Sequence, residues 1–497
     1  MRAFRSLALG VGGIVLGVLL IGTVGAFARW VQVRVAPQPP AAPHLPEKGF
    51  YLNSLQGADL SSAPNIVVIF FDDLGYGDLS IHGNQLIETP RLDALATEGV
   101  RLTSFYAPTS VCTPSRAALL TGRFPVRSGT QGHVFFPDES PIGTLRRMIG
   151  FGNELPADEI TVAEALQAAG YATGMIGKWH LGALPGYHPN DFGFDSYYGV
   201  HWSNDMQPLH IYRDREIEII DTTEVGNFMN AFRDEDEPFT REGEVDQSRL
   251  TRRYTEEAVA FIEDHRSEPF FLYVAHSFPH VPHFPDPLYA GRSRGGPYGD
   301  VVEDLDRSTG AIVDAIDRMG LAQNTLVIVT SDNGPDYDGS PGGLRGRKGD
   351  TYEGGQRVPF IARWPAELGR GGVVAGLSMN TDLMPTILGL AGLELPADRV
   401  IDGADVLAMW QGRGDSPHEV LFYFPVMGDA PVAVRDERFK YRRVTGQSGR
   451  SKPTLTALGE DQENHNLIKR FPDEAARLSA QLDVMAAELE ANPRGWR

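Results

Sequence analysis

From Asn65 onwards, short apolar runs alternate with stretches whose apolar residues recur at helical spacing. Ile66 to Phe71 (IVVIFF) is an unbroken β-rich run, the pattern of a strand covered on both faces. Thr89-Pro90 supplies a helix cap and first turn, with Leu92, Leu95 and Ala96 on one face. The alternation then predicts a helix over Thr161 to Ala169 and a strand over Tyr171 to Ile176. Arg252 to His265 reads as a helix leading into a strand over Phe270 to Ala275. Asp304 to Met319 reads the same way, leading into a strand over Thr325 to Thr330. Repeated helix-then-buried-strand units imply an α/β fold: a large mixed, mainly parallel sheet sandwiched by helices. Around Gly412 to Pro417 the pattern changes. Val420 to Phe424, Val432 to Val434 and Phe439 to Arg443 read as short antiparallel strands. Leu478, Leu482, Met485 and Leu489 line one face of a last helix. The expected organisation is an α/β domain over residues 49–412 and a smaller C-terminal α+β subdomain, antiparallel sheet plus helix, over 413–497.

The start of the chain has neither pattern. Arg2 and Arg5 precede an apolar run from Leu7 to Ala28 that ends in Ala26-Phe27-Ala28. Residues 1–28 are therefore expected to be a secretory signal peptide or an uncleaved membrane anchor with its basic end cytoplasmic. Residues 29–48, rich in proline around Ala36 to Pro43, read as an extended tether. The expected location is periplasmic or otherwise extracytoplasmic, with an anchor holding the chain to the inner membrane.

Composition narrows the functions. A formal net charge of −20 argues against a nucleic-acid partner, which calls for a basic stripe. It leaves an anionic substrate open, because a few cations focused in a cleft reverse the local field. A single cysteine, Cys112, excludes an intramolecular disulfide framework and a Cys-rich metal site.

The candidate chemistry lies just past the predicted strands. Asp72-Asp73 follows IVVIFF, Lys178 and His180 follow the strand ending at Ile176, His280 follows FLYVA, and Asp332-Asn333 follows TLVIVT. Ligands of open α/β sheets bind outside the carboxyl ends of the strands, where these groups would converge. An aspartate after a strand is commonly a cap or turn residue. Four such groups at the same strand ends are not explained as punctuation. Asp72, Asp73, Asp332 and Asn333 offer only oxygen ligands, which suit Ca²⁺ or Mg²⁺. Cys112 opens the string CTPSRAALLTGR, with Pro114 placed for a first helical turn and Gly122 for a helix end. A helix N-terminus favours an anion, so the thiol is expected to be an acidified nucleophile, with Arg116 one turn on. The bland alternative is a small buried cysteine.

CTPSRAALLTGR resembles the signature of the sulfatase family, within the alkaline phosphatase superfamily. So do FFDDLGYGDL (Phe70 to Leu79), GKWHLG (Gly177 to Gly182), SDNGP (Ser331 to Pro335) and GRKGDTYEGGQRVP (Gly346 to Pro359). The stretch GGPYGDVVEDLD is similar to the arylsulfatase A branch. The resemblance implies that a dedicated formylglycine-generating maturation enzyme oxidises Cys112 to formylglycine (3-oxoalanine). It implies Ca²⁺ held by Asp72, Asp73, residue 112, Asp332 and Asn333. Arg116, Lys178 and Lys348 would bind the sulfate oxygens and the nucleophile, and Ser203 aligns with a sulfate-contacting serine. The implied sequence has a hydrated residue 112, deprotonated with help from Asp332, attack sulfur while His280 and Lys348 protonate the leaving alcohol. His180 then takes the proton whose removal expels sulfate. The substrate would be a sulfated small molecule or glycan, with the acid-rich segment Asp214 to Gln247 as a lid or rim. Rival readings are a phosphonate monoester or phosphodiester hydrolase of the same superfamily, a non-catalytic glycan-binding homologue, and ordinary cysteine hydrolase chemistry.

Overall fold

The computed structural model describes residues 40–132, 134–138, 140–148, 152–222, 243–445, 451–459 and 463–497. The expected signal or anchor, most of the tether and the middle of the acid-rich segment lie outside them. Among the described residues, no helix is long and apolar enough to cross a membrane.

The strands in chain order begin with β1 (Asn65–Phe71), β2 (Val100–Leu102), β3 (Phe105–Tyr106), β4 (Ala172–Lys178), β5 (Ser196–Val200) and β6 (Ile211–Arg213). They continue with β7 (Glu216–Ile219), β8 (Phe270–Ala275), β9 (Thr325–Ser331), β10 (Phe360–Arg363), β11 (Gly372–Val374) and β12 (Ser378–Met379). β3 pairs with β12, and the others form one ten-stranded sheet ordered β11-β2-β10-β9-β1-β8-β4-β5-β6-β7. The centre, β9 through β5, is parallel. Antiparallel pairs flank it on both sides.

The IVVIFF run is explained by what covers it. Ile66, Val68 and Phe70 enter one apolar core, and Val67, Ile69 and Phe71 enter the other. Alternate residues of a strand face opposite sides, so a strand between two helical layers has no polar face. The described helices of eight or more residues before the C-terminal part are α1 (Leu45–Ser54), α2 (Pro90–Glu98), α3 (Cys112–Thr121), α4 (Pro141–Met148), α5 (Val162–Ala169), α6 (Leu250–Asp264), α7 (Gly296–Arg318) and α8 (Leu383–Leu390). α5 starts on a capping box in which Thr161 Oγ1 accepts from Glu164 N and Glu164 Oε2 accepts from Thr161 N.

Two expected boundaries move. Leu45 to Lys48, placed in the tether by the sequence, belong to α1, because buried Lys48 pairs with Glu164 at 2.5 Å and donates to the carbonyls of Ala157 and Glu159. α7 starts at Gly296, not Asp304. Asp304 lies well inside it, and Asp300 accepts from the backbone N–H groups of Gly291, Arg292 and Ser293.

The C-terminal part has a four-stranded antiparallel sheet of β13 (Leu421–Tyr423), β14 (Ala433–Arg435), β15 (Phe439–Thr445) and β16 (Ser451–Ala457). α9 (Pro472–Ala491) buries Leu478, Leu482 and Leu489 against it. A buried ionic knot ties this sheet to β3 and to the segment between β9 and β10. Glu353 meets Lys440 at 3.2 Å and Arg435 at 3.6 Å, and accepts from Tyr106 Oη at 2.7 Å.

His276, at the end of β8, is fully buried, with Ser308 Oγ 3.3 Å from Nε2 and no partner at Nδ1. Burial pulls its pKa from 6.5 down to about 3. As pH falls below 6.5 the unfolded chain takes up a proton that the folded one refuses, so stability present above that pH is lost towards the folded pKa. The expected loss from this residue is about 2 kcal/mol between neutral pH and pH 5. Urea unfolding at both pH values should show His276→Gln losing less than the parent by that amount; equal losses would exclude the assignment.

Candidate active site

β9, β1, β8 and β4 are adjacent and parallel, so the four candidate groups emerge from one edge. Backbone bonds continue past the strand ends: Asp332 N donates to Phe71 O, and Asp72 N to the Phe278 carbonyl. Gly177, in β4 just before Lys178, has φ +108°, and a Cβ there would lie 1.9 Å from the Ala275 carbonyl oxygen, so only glycine fits. Asp73 and His180 are non-glycine residues in the left-handed region, at φ 68° and 60°. Strain of this kind persists where the surroundings over-determine it, as at functional sites.

α3 brings the thiol to this edge. Val111 is the extended N-cap, Gly122 closes the helix at φ 66°, and Cys112 is its buried first residue. Cys112 Sγ lies 3.3 Å from Asp72 Oδ1. One ligand atom from each of Asp72, Asp73, Cys112 and Asp332 lies within 4.8 Å of all the others. Asn333 Nδ2 donates to Asp73 Oδ1 at 2.6 Å, while its Oδ1 is buried without a partner.

Three cations face these carboxylates. Lys178 Nζ is 2.6 Å from Asp72 Oδ2 and donates to Ser203 Oγ at 3.0 Å. Lys348 Nζ is 2.7 Å from Asp73 Oδ2. Arg116 donates to Asp332 Oδ2 at 2.9 Å and to the Lys178 carbonyl at 3.0 Å, and lies 3.4 Å from Asp72 Oδ1. The sequence expected Arg116 to grip the substrate. Its guanidinium is instead fully buried under the carboxylates, stacked 5.4 Å over Phe70, and both terminal nitrogens are engaged.

Burial raises the Asp72 carboxyl, but Lys178 and Arg116 more than undo that, and it ends well below the usual carboxylate range. Burial, then the neighbouring Asp72 charge, pushes Asp332 up to about 7 despite Arg116. Burial and the Asp72 carboxylate also drive the Cys112 thiol well above its ordinary value. The expectation of an acidified thiol is thus overturned. Loss of water and the Asp72 and Asp332 carboxylates outweigh Lys178 and Lys348.

Both catalytic histidine candidates are held in one tautomeric sense. His180 Nε2 faces the Phe135 carbonyl at 3.0 Å and donates to it, so Nδ1, buried and without a partner, is left as the acceptor. His280 Nδ1 is 2.6 Å from the Val281 carbonyl, and its Nε2 is 3.8 Å from Asp73 Oδ2. Of the three histidines following β8, His276 turns into the helical layer, and His283 Nε2 bonds to the Pro279 carbonyl.

Comparison with known proteins decides the family. The sulfatase family profile matches residues 64–393, and an N-sulphoglucosamine sulphohydrolase C-terminal profile matches residues 347–483. The chain belongs to the sulfatase family. It is 37% identical over 490 residues to bovine arylsulfatase A, covering 88% of this chain and 90% of that one. It is 38% identical over 426 residues to mouse steryl-sulfatase, covering 73% and 67%. A solved Bacteroides thetaiotaomicron structure, described by its part in the metabolism of multiple glycosaminoglycans, matches 86% of this chain and all of its own. That match has a TM-score of 0.74 and 29% identity. This sulfatase is therefore a sulfuric ester hydrolase.

Sequence reasoning missed the supports of the site. Ser115 donates to the Asp332 carbonyl at 2.5 Å, and Asn380 Nδ2 donates to Ser115 Oγ at 3.1 Å. Thr113 Oγ1 donates to the His180 carbonyl and accepts from Phe135 N. Ser115 and Thr113 stand inside the cysteine string, so a signal was present for them. Asn380 follows a two-residue strand with no motif of its own.

Proposed function

We propose that this sulfatase cleaves sulfate monoesters with an oxygen nucleophile at residue 112, formylglycine made from Cys112, beside a Ca²⁺ held by Asp72, Asp73, Asp332, Asn333 and residue 112. The observation that carries the reading is the buried Asp72, Asp73, Cys112 and Asp332 cluster, closed by Lys178 and Lys348. The donors fit a hard cation: clustered carboxylate oxygens, and a buried Asn333 Oδ1 that no protein group satisfies. When present, the ion and the aldehyde supply a strongly acidified hydroxyl next to fixed positive charge.

This chain's own residues do the rest. An ammonium has three N–H donors. Asp73 takes one from Lys348, and Asp72 and Ser203 take two from Lys178; the remainder are free for sulfate oxygens. Arg116 holds Asp332 and Asp72 in place. His280, doubly protonated with its Nδ1–H kept on the Val281 carbonyl, gives its Nε2 proton to the departing alcohol, and His180 Nδ1 is the base for sulfate release. Residues 1–28 would export the chain, and the maturation enzyme would have to act before the site is enclosed.

The test uses protein produced with a formylglycine-generating enzyme. Peptide mass around residue 112 should show sulfur replaced by oxygen together with the loss of a pair of hydrogens, the change from thiol to aldehyde. An aryl sulfate should be cleaved faster than an aryl phosphodiester, and chelation should abolish the rate until Ca²⁺ is returned. Faster phosphodiester turnover, or full activity in unmodified protein without calcium, would overturn the proposal.

A further inference from the structure

The cationic cluster forms only one side of the site. Val111, Cys112 and Val134 pack together, and Phe136, Met206 and Val426 pack against them while remaining partly open to solvent. These three come from separate segments: the loop after α3, the turn after β5 and the loop after β13. Each is pinned. The Phe135 carbonyl is bonded to His180 and Phe135 N to Thr113, which fixes the segment from Val134 to Phe136. Met206 N donates to the Ser203 carbonyl, so one turn joins the serine that touches Lys178 to the wall. Phe424 N donates to the Pro108 carbonyl, and Met427 bridges to Gly132, which ties the C-terminal loop over the same place.

We propose that Phe136, Met206 and Val426 form the leaving-group wall and select sulfate esters of apolar ring alcohols over those of sugars. The inference rests on the proposed function, which places the ester sulfur between residue 112 and the lysines. None of these side chains can replace the water that a sugar hydroxyl loses on contact, whereas a hydrocarbon ring loses nothing there and gains burial. Met206 also supplies a polarizable sulfur that adapts to ring faces.

Cyclohexylmethyl sulfate and N-acetylgalactosamine 6-sulfate make a matched pair for the test. Both are primary alkyl esters one methylene from a six-membered ring, so their ratio reads ring polarity more than bond strength. With the matured full chain, kcat/KM should favour the cyclohexyl ester by about tenfold or more. In Phe136→Ala/Met206→Ala that preference should fall about tenfold, through KM, while competitive inhibition by inorganic sulfate is retained. Met206→Gln, nearly isosteric, should move the ratio the same way should the double variant fold poorly. Preference for the sugar ester, or a ratio unchanged in both variants, would overturn the inference alone. Cleavage of neither ester together with no inhibition by inorganic sulfate would overturn the proposed function, and the inference with it.

Discussion

Replacing Cys112 by alanine is expected to lower kcat/KM for a sulfate ester by at least about 10⁴-fold while the chain still folds. The side chain is small, buried and packed on Val111 and Val134, so its loss removes little volume, costing on the order of 1 kcal/mol. The chemical loss is far larger, because the neighbouring hydroxyls at the start of α3 are committed elsewhere, Thr113 to the His180 carbonyl and Ser115 to the Asp332 carbonyl. The environment also separates two ways in which residue 112 could act. A thiolate needs a lowered pKa, yet burial and the Asp72 carboxylate 3.3 Å away push this thiol well up. An oxygen nucleophile beside a cation has no such handicap. Protein that has never met a maturation enzyme should therefore be nearly as inactive as Cys112→Ala. A steady-state assay of the matured, unmatured and Cys112→Ala proteins, with circular dichroism to verify folding, reads all three. Unmatured protein with the matured rate would make the encoded thiol the nucleophile.

The fold's centre and the site's first ring of residues were legible because their signals are local. A strand between two helical layers must be apolar at every position, as IVVIFF is, and the polar residues after it then stand at the strand end. The same logic placed Lys178, His280 and Asp332 correctly on one edge. The edge strands were not legible. β7 has four residues and β11 three, and β16 carries Pro453, which a strand at the rim of a sheet tolerates. The first turns of α7 were not included in the expected helix over Asp304 to Met319; there Asp300 is buried and accepts from three N–H groups of the preceding turn. Position in a motif also says nothing about burial. Burial reversed the expected acidity of Cys112 and turned Arg116 from a substrate contact into a support for two carboxylates. The apolar wall was invisible for another reason: Phe136, Met206 and Val426 meet only after the chain has folded.

Lys178→Met is expected to cost about 10³-fold in kcat/KM at saturating calcium, the scale of losing a preorganised charge from an anion site. Methionine keeps most of the volume, so a cavity does not obscure the electrostatic effect. In the metal-free protein the substitution leaves the Asp72 carboxylate with Arg116 at 3.4 Å as its nearest remaining ion-pair partner. Removing one partner from a buried ion pair costs up to roughly 3–5 kcal/mol, and the remaining Arg116 contact keeps the loss below that ceiling. Calcium should offset part of that cost, because the ammonium 2.6 Å from Asp72 Oδ2 otherwise competes with a dication for the same oxygen. The variant is therefore expected to be less active, less stable without calcium, and more strongly stabilised by it. Activity alone would not distinguish a lost sulfate contact from a damaged metal site; the stability increment does. A ligand that binds only the folded state raises the melting temperature according to its affinity, so the comparison is the calcium-induced rise in variant and parent. A smaller rise in Lys178→Met would mean that Lys178 supports cation binding instead of opposing it. The rate loss would then belong to the metal site and not to the grip on sulfate.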